Sequence, residues 1–457
     1  MNKLSCVLAA LCAVASAFAT DYYVNTNGGV DDTAEGRGRS PEMPYATISN
    51  ALGKAKTSGD CVYVAEGTYQ ERNLAVAGGV GLIATGRRDY TAIDANASET
   101  DYARCINSMA AKAYVKGFTI KNGCRPHENN AANHGGGVKA DRDAAIIDCA
   151  IRNCDGYRGG GGNGGIWIRC YFDKDNKAGF SDAAKGVYGP GFVVNCVFDG
   201  AGCVIDNADY ATVVNCTFCN GAYVGTNGSA YPNVYNSLVD QLLNGVKLYR
   251  TVSFARPSTH QYVQDYGDNC LFYPNVTENS PSIARDADFM PLPTAADLVD
   301  KGNQSYYEYF PQDWRVIGEW QKAYGGGPRT VNDAIDIGAG EYSPWDEKGL
   351  VVETEDLGDG RTRLSISQIR NRTATSAALR STAKPSRSMR TCPAGRGRRS
   401  STTNRRIMRS FPFSFPRTST TSMPPARTTM TRGLGVSMRL RPSRRRWIRQ
   451  NQAIRSA

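Results

Sequence analysis

The chain has 457 residues and a formal net charge of +11, with the charge unevenly placed. From residue 360 to 457 there is no Asp or Glu against 23 Arg and one Lys, so residues 1–359 hold 30 basic against 43 acidic residues, a net of −13. An acidic body excludes a nucleic-acid-binding face of the usual basic kind, and beyond the N-terminal segment no apolar run reaches the ~18 residues of a membrane helix.

Residues 1–19 read as a signal peptide. One positive charge precedes an apolar run over residues 4–18, and Ala17-Phe18-Ala19 forms an A-x-A cleavage site, so export to the extracellular space or outer cell surface is expected. Residues 20–60 read as an N-terminal cap: DYYVNTNGG supplies a strand and SPEMPYATISNALGKA an amphipathic helix with Ala46, Ile48, Ala51, Leu52 and Ala55 on one face. The open end of a stacked solenoid needs such a plug, because it otherwise exposes apolar side chains and unpaired strand edges.

Residues 61–288 read as the coils of that solenoid. One phrase returns along them as AIIDCAI, WIRCYF, VVNCVF, VVNCTF and VYNSLV, and the steps between Cys149, Cys170, Cys196, Cys216 and Ser237 are 21, 26, 20 and 21 residues. A period near twenty marks a repeat architecture. The phrase is β-branched and aromatic with period-two alternation, and the Gly-, Asn- and Asp-rich remainder is too short for a crossover helix. The prediction is an all-β parallel β-helix. A leucine-rich horseshoe would need leucine where Val, Phe and Cys stand. Read as one strand, the phrase puts Ile147, Cys149 and Ile151 and their equivalents inward. Asp148, Arg169, Asn195, Asn215 and Asn236 then form an outward polar row, beside a second row of Ala150, Tyr171, Val197, Thr217 and Leu238. Two polar insertions, CRPHENNAANH at 124–134 and the stretch 173–191, are the places where functional loops are expected.

The opening DYYVNTNGG to CVYVAEGTYQE, with GFTIKNG and HGGGVKAD, resembles secreted right-handed parallel β-helix proteins of the pectin-lyase-like superfamily, and more weakly polymorphic outer membrane protein repeats. The right hand of the helix is an implication of that resemblance. The pattern MPLP, LVDKGN and DIGAGEY resembles the C-terminal part of choice-of-anchor Q domains, which implies that residues 289–345 close the β-helix ahead of an anchoring tail. Residues 346–370 read as the first hairpin of a truncated second β domain, with two alternating runs around Gly358-Asp359-Gly360. Residues 371–457 are Arg-rich and without periodicity, which predicts a disordered tail, either a genuine one or the product of a shifted reading frame.

Of the 14 cysteines, 11 lie between the signal peptide and the tail, and a buried free-thiol ladder is expected of them rather than disulfides or a metal site. The expected role is structural or adhesive at the cell surface, with an extracellular or cell-wall polysaccharide as partner. Asp148, Arg169, Tyr171, Asn195, Asn215 and Asn236 are the candidate glycan contacts. The chain is expected to be a monomer, with no nucleic acid, cofactor or metal. The alternative implied by the superfamily is a polysaccharide lyase, in which an Arg or Lys base removes a proton beside a uronate with calcium assistance. Arg169, Lys139 and Asp148 are the residues it would use. The paired carboxylates of glycoside hydrolysis are not found in a coil strand.

Overall fold

The computed structural model describes residues 19–180, 184–205, 211–226, 231–243, 245–254, 263–265, 270–272, 280–309, 318–331 and 333–343, together with strands Leu350–Asp356 and Thr362–Gln368. The segments expected to be the signal peptide and the Arg-rich tail lie outside the described residues.

Three parallel sheets run the length of the coils. One begins at Asp21–Val24 and Cys61–Val64 and ends at Val263–Asp265, the second runs from Gly67–Tyr69 to Leu271–Phe272, and the third from Leu74–Val76 to Gln241–Leu242. Each takes about every third strand, so the chain visits all three sheets once per turn. In the first sheet Ile146, Trp167, Val193, Val213 and Val234 align across successive coils, and in the second Ile151, Phe172, Phe198 and Phe218 do the same. This is a parallel β-helix.

Helix α1 (Ile48–Lys54) buries Ile48, Ala51 and Leu52 over the first coil. Thr47 caps its N-terminus, and both oxygens of Glu71 accept from the backbone N–H groups of Ile48 and Ser49, at 2.7 and 2.8 Å. Those N–H groups have no partner inside a helix, so the carboxylate satisfies them. Ala55 is buried just past the helix, whereas Ala46, before the cap, is only half-buried.

The repeated phrase is not one strand. Asp148, Arg169, Asn195, Asn215 and Asn236 have φ between 46 and 53°, and each stands at a corner between a strand of the first sheet and a strand of the second. Asn and Asp tolerate this left-handed conformation better than other non-glycine residues. In the preceding coil Gly117 takes the same place with φ 84°. The ladder continues through the bend, as Asp148, Arg169, Asn195, Asn215 and Asn236 each donate their backbone N–H to a carbonyl of the next coil at 2.8–3.1 Å.

The corner changes the parity of the phrase. The inward residues are Ile146, Cys149 and Ile151 with their equivalents, while Ile147, Ile168, Val194 and Val214 turn to the outer side. The expected inward position of those four is therefore corrected; strict alternation fails where one residue is left-handed. Cys149, Cys170, Cys196 and Cys216 are fully buried thiols, as expected. Their place has a reason beyond size. Each Sγ donates to a carbonyl of its own or the preceding coil, at 3.2–3.4 Å. The Cys170 N–H is in turn accepted by Cys196 Sγ at 3.3 Å. Where the phrase reads serine, Ser237 Oγ accepts from Cys216 N at 3.1 Å. From Cys149 to Ser237 this place holds a small side chain that both donates and accepts, whereas in the coil of Gly117 it holds the buried Phe118. Beside the thiols, Phe172, Phe198 and Phe218 stack at centroid spacings of 4.5 and 4.6 Å, nearly parallel.

After the last coils the chain turns back along the outside. The described part of residues 280–343 covers the outer face of the first two sheets. Trp320 packs on Val194, Val214 and Tyr235; Tyr324, Ala339 and Phe289 on Val197 and Tyr171; Ile283, Ala295, Leu298 and Ile337 on Leu238 and Val252. The residues expected to close the β-helix thus lie against its flank. Strands Leu350–Asp356 and Thr362–Gln368 pair antiparallel.

Candidate functional site

The predicted polar row lies under this flanking segment. Asn195 Nδ2 donates to the carbonyls of Trp320 and Lys322 at 2.9 and 2.8 Å, and Asn236 exchanges two bonds with the backbone of Asn303, at 3.0 and 2.8 Å. Arg169 reaches the Glu319 carbonyl and, at 2.7 Å, its carboxylate, which Lys116 also holds at 2.5 Å. Burial alone would raise the Glu319 pKa, but Lys116 and Arg169 outweigh it and hold the carboxyl below its ordinary range. In the second row Thr217 Oγ1 accepts from Ala339 N at 2.9 Å.

Arg169, Asn195, Asn215 and Asn236 are at most 2% exposed, so the expectation that they present an open glycan surface is corrected. The side chains of Arg169, Asn195 and Asn236 grip the main chain of another segment. Tyr171 is half-buried against Phe289 and bonds Asp199 at 2.8 Å. Asp148 is partly exposed, with its carboxylate 3.5 Å from Arg88. Lys139 lies on the third sheet, so of the residues named for a lyase only Asp148 and Arg169 are neighbours, at equivalent corners of adjacent coils.

The two polar insertions do converge, outside the third sheet. Cys124 bridges to Asp155, and Asp155–Gly156 pairs in parallel with Lys177–Ala178, a short side ladder that joins three successive coils. Glycine makes the close approach feasible: a Cβ at Gly136 would lie 2.0 Å from the Asp155 carbonyl oxygen, and one at Gly160 2.0 Å from that of Lys177. Arg104 anchors the first insertion from below, donating to the carbonyls of Ala132, His134 and Gly135 and to Asn107.

Two features stand on this face. The first is an open cleft of about 400 Å³ lined by Glu99, Cys124, Asn153, Asp155 and Lys177 among others. Asp155, 8% exposed, holds His127 Nε2 at 2.5 Å, and the imidazole is packed against Gly179. Burial, and then the Asp155 charge, push the Cys124 thiol up to about 11, so it is not a nucleophile at neutral pH. Among the described residues no three His, Cys, Asp or Glu side chains converge as a metal site would require.

The second feature is an aromatic cluster. The Arg158 guanidinium lies 4.2 Å from the Phe180 ring centroid, 5.0 Å from Tyr188 and 5.5 Å from Tyr157, and donates to Tyr188 Oη at 2.6 Å. His134 stacks on Tyr157 at 6.0 Å and meets Tyr188 edge-on at 5.3 Å. Phe180 remains exposed. Sequence reasoning located these loops but named none of these residues. The available signal was Tyr157-Arg158 set directly before a run of four glycines, an aromatic and a cation where the backbone is packed tightly.

No family model matches the chain, and no curated protein matches it. Solved structures that are similar include a pectin methylesterase in complex with a hexasaccharide, 11% identical with a TM-score of 0.32 over 55% of this chain and 96% of that one. The pectin methylesterase of Erwinia chrysanthemi is 12% identical (TM-score 0.29, covering 58% and 97%), and that of carrot 13% (0.28, 64% and 97%). Likeness at this level carries no functional argument, and the assignment of a parallel β-helix rests on the pairing of the three sheets. Among the described residues no helix is long and apolar enough to cross a membrane.

Proposed function

We propose that the protein is an exported β-helix with a binding or structural role at the cell surface, and that it meets glycans on the loop face of the third sheet. The observation that carries this reading is the half-buried Tyr157 and the exposed Phe180 beside Arg158, set over the buried Tyr188, against which no described residue of 280–343 packs. Aromatic rings that present an apolar face beside a polar edge suit sugar rings, whose C–H faces stack and whose hydroxyls need partners. The cleft beside them supplies such partners in Glu99, Asn153, Asp155 and Lys177. Export itself rests on residues 1–19, and the choice-of-anchor resemblance is consistent with surface attachment.

The lyase alternative lacks a geometric basis at its expected base, because Arg169 is enclosed and tied to Glu319. The test is retention of the full-length protein on an immobilised panel of cell-wall and extracellular polysaccharides, with Tyr157→Ala and Phe180→Ala beside the parent. Binding that falls in both variants, without loss of the β-sheet circular dichroism, supports the loop face. Binding that is unchanged in both, or absent for every glycan, refutes it.

A further inference from the structure

Four Asn-Gly pairs lie among the described residues: Asn27-Gly28, Asn122-Gly123, Asn163-Gly164 and Asn220-Gly221. Such a pair is chemically labile, because glycine sets no side chain between its own nitrogen and the carboxamide of the residue before it. Ring closure between the two needs a carboxamide that can turn toward the Gly nitrogen and an N–H that no acceptor holds.

Three of the pairs are restrained. Asn122 Nδ2 donates to Asp94, and its Oδ1 accepts from Asn153, both at 2.8 Å. Asn163 Nδ2 and Gly164 N both donate to the Tyr188 carbonyl, at 3.0 Å each. Asn220 Nδ2 donates to Asp199 and Gly221 N to Asp240, at 2.5 Å each.

Asn27-Gly28 has none of these restraints. The one hydrogen bond of Asn27 is donated by its backbone N–H to Asn25 Oδ1, at 2.8 Å, and leaves the carboxamide and the Gly28 N–H without a partner among the described residues. Thr26, Asn27 and Gly28 are all exposed, and a Cβ at Gly28 would meet nothing within 4 Å. The ends of the same turn are tied down. Asn25 N donates to the Tyr45 carbonyl at 2.8 Å, Gly29 N to the Asn25 carbonyl at 3.0 Å and Val30 N to the Pro44 carbonyl at 3.1 Å. A Cβ at Gly29 would lie 2.2 Å from the Asn25 carbonyl oxygen and 2.3 Å from that of Tyr45.

We infer that Asn27-Gly28 is a site of spontaneous deamidation and isoaspartyl formation in the folded protein. The Gly28 nitrogen loses its proton to solvent base and attacks Asn27 Cγ. The new C–N bond closes a succinimide, and the side-chain nitrogen leaves with a proton as ammonia. Water then opens the ring at either carbonyl. Cleavage of the Cγ–N bond leaves an aspartyl residue; cleavage of the bond from the backbone carbonyl to nitrogen leaves an isoaspartyl residue, whose main chain runs through the former side chain and is one carbon longer. Both products add a negative charge to a loop that already carries Asp31 and Asp32. The longer chain finds no room beside Gly29, so the bond from Gly29 to Asn25 is the one it breaks.

The test holds the full-length protein in mildly alkaline buffer, with a parallel sample in guanidinium chloride, and digests aliquots of both at acidic pH over time. Peptide masses give the conversion of amide to acid at each Asn-Gly pair, and electron-transfer fragmentation separates isoaspartyl from aspartyl. In the native protein Asn27 should convert about tenfold faster than Asn122, Asn163 and Asn220, the scale of one hydrogen bond that must open before attack. In guanidinium chloride the four rates should converge, since only the fold separates them. Native conversion at Asn27 as slow as at the other three, with all four released by denaturant, overturns the assignment. Asn27→Gln should abolish conversion at this position, because its carboxamide is one carbon too far for the same ring. Amide exchange at Gly29 should be faster in the isolated isoaspartyl fraction than in Asn27→Asp, which gains the charge without the extra carbon; equal exchange overturns the strain placed on the turn.

Discussion

The buried row of corner residues makes a quantitative prediction at Asn195. Its side chain holds two carbonyls of the flanking segment, and its backbone sits at φ 53°. Asn195→Gly removes both hydrogen bonds and leaves the backbone unstrained. A buried acceptor left unpaired costs roughly 1–3 kcal/mol. The Trp320 carbonyl is at the buried end and the Lys322 carbonyl only partly so, which gives about 3 kcal/mol for the pair. Asn195→Ala loses the same bonds and also places a Cβ-bearing residue with no local hydrogen bond in the left-handed region, a further cost of about 1 kcal/mol. The order of stability should therefore be parent, then Gly, then Ala. Asp148→Gly, at a corner whose partly exposed side chain makes only a long contact with Arg88, should cost less than Asn195→Gly. Urea unfolding followed by tryptophan fluorescence reads all three variants, since Trp320 is seated on Val194, Val214 and Tyr235. A Gly variant that loses less than about 1 kcal/mol would show that the row does not hold the flank. Ala and Gly variants of equal stability would show that the corner is not conformationally demanding.

Other outcomes follow from the same coordinates. Phe198→Ala empties the middle of a three-ring stack with full burial, and should cost about 3–5 kcal/mol with a matching fall in Tm. Burial raises the thiols of Cys149, Cys170 and Cys196 well above their ordinary range, so iodoacetamide at pH 8 should leave them unmodified in the native protein and alkylate them only in urea; native labelling at these positions contradicts the buried ladder. Glu341 is pushed by burial to about 8 from its ordinary 4.5, against the pull of nearby Arg329. Its folded pKa is the higher one, so the stability it contributes is full below about 4.5 and is lost as pH rises through about 8. Glu341→Gln should flatten that decline, and a pH profile of Tm identical to the parent's would count against the assignment.

The period of twenty in the sequence was enough to identify a coiled stack of parallel strands, because side chains stacked like on like must recur once per turn. The buried cysteines were legible for the same reason, and the cap helix was legible from the apolar face at Ile48, Ala51 and Leu52. The polar row was misread at one step. Alternation was carried through Asp148 and its equivalents, although an Asn, Asp or Gly between two short strand-forming runs, as at Gly117 and Asn195, is also the signature of a left-handed corner. With the corner recognised, Val194 and Val214 would have been placed outside, and two valines facing outward in successive coils imply something that covers them.

What covers them could not be found by any local rule. The periodicity of a solenoid describes contacts between neighbouring coils, and those are near in sequence. The bonds from Asn195 to Trp320 and from Arg169 to Glu319 span 125 and 150 residues. The sequence by itself determined the repeat, the direction of its strands, and which small residues occupy the inner corner, because each follows from spacing and from local hydrogen-bonding needs. Only the tertiary structure decided which outer face stays open. That choice depends on where a segment without periodicity comes to rest. It covered Asn195 and Asn236, while Phe180 beside Arg158 remained exposed.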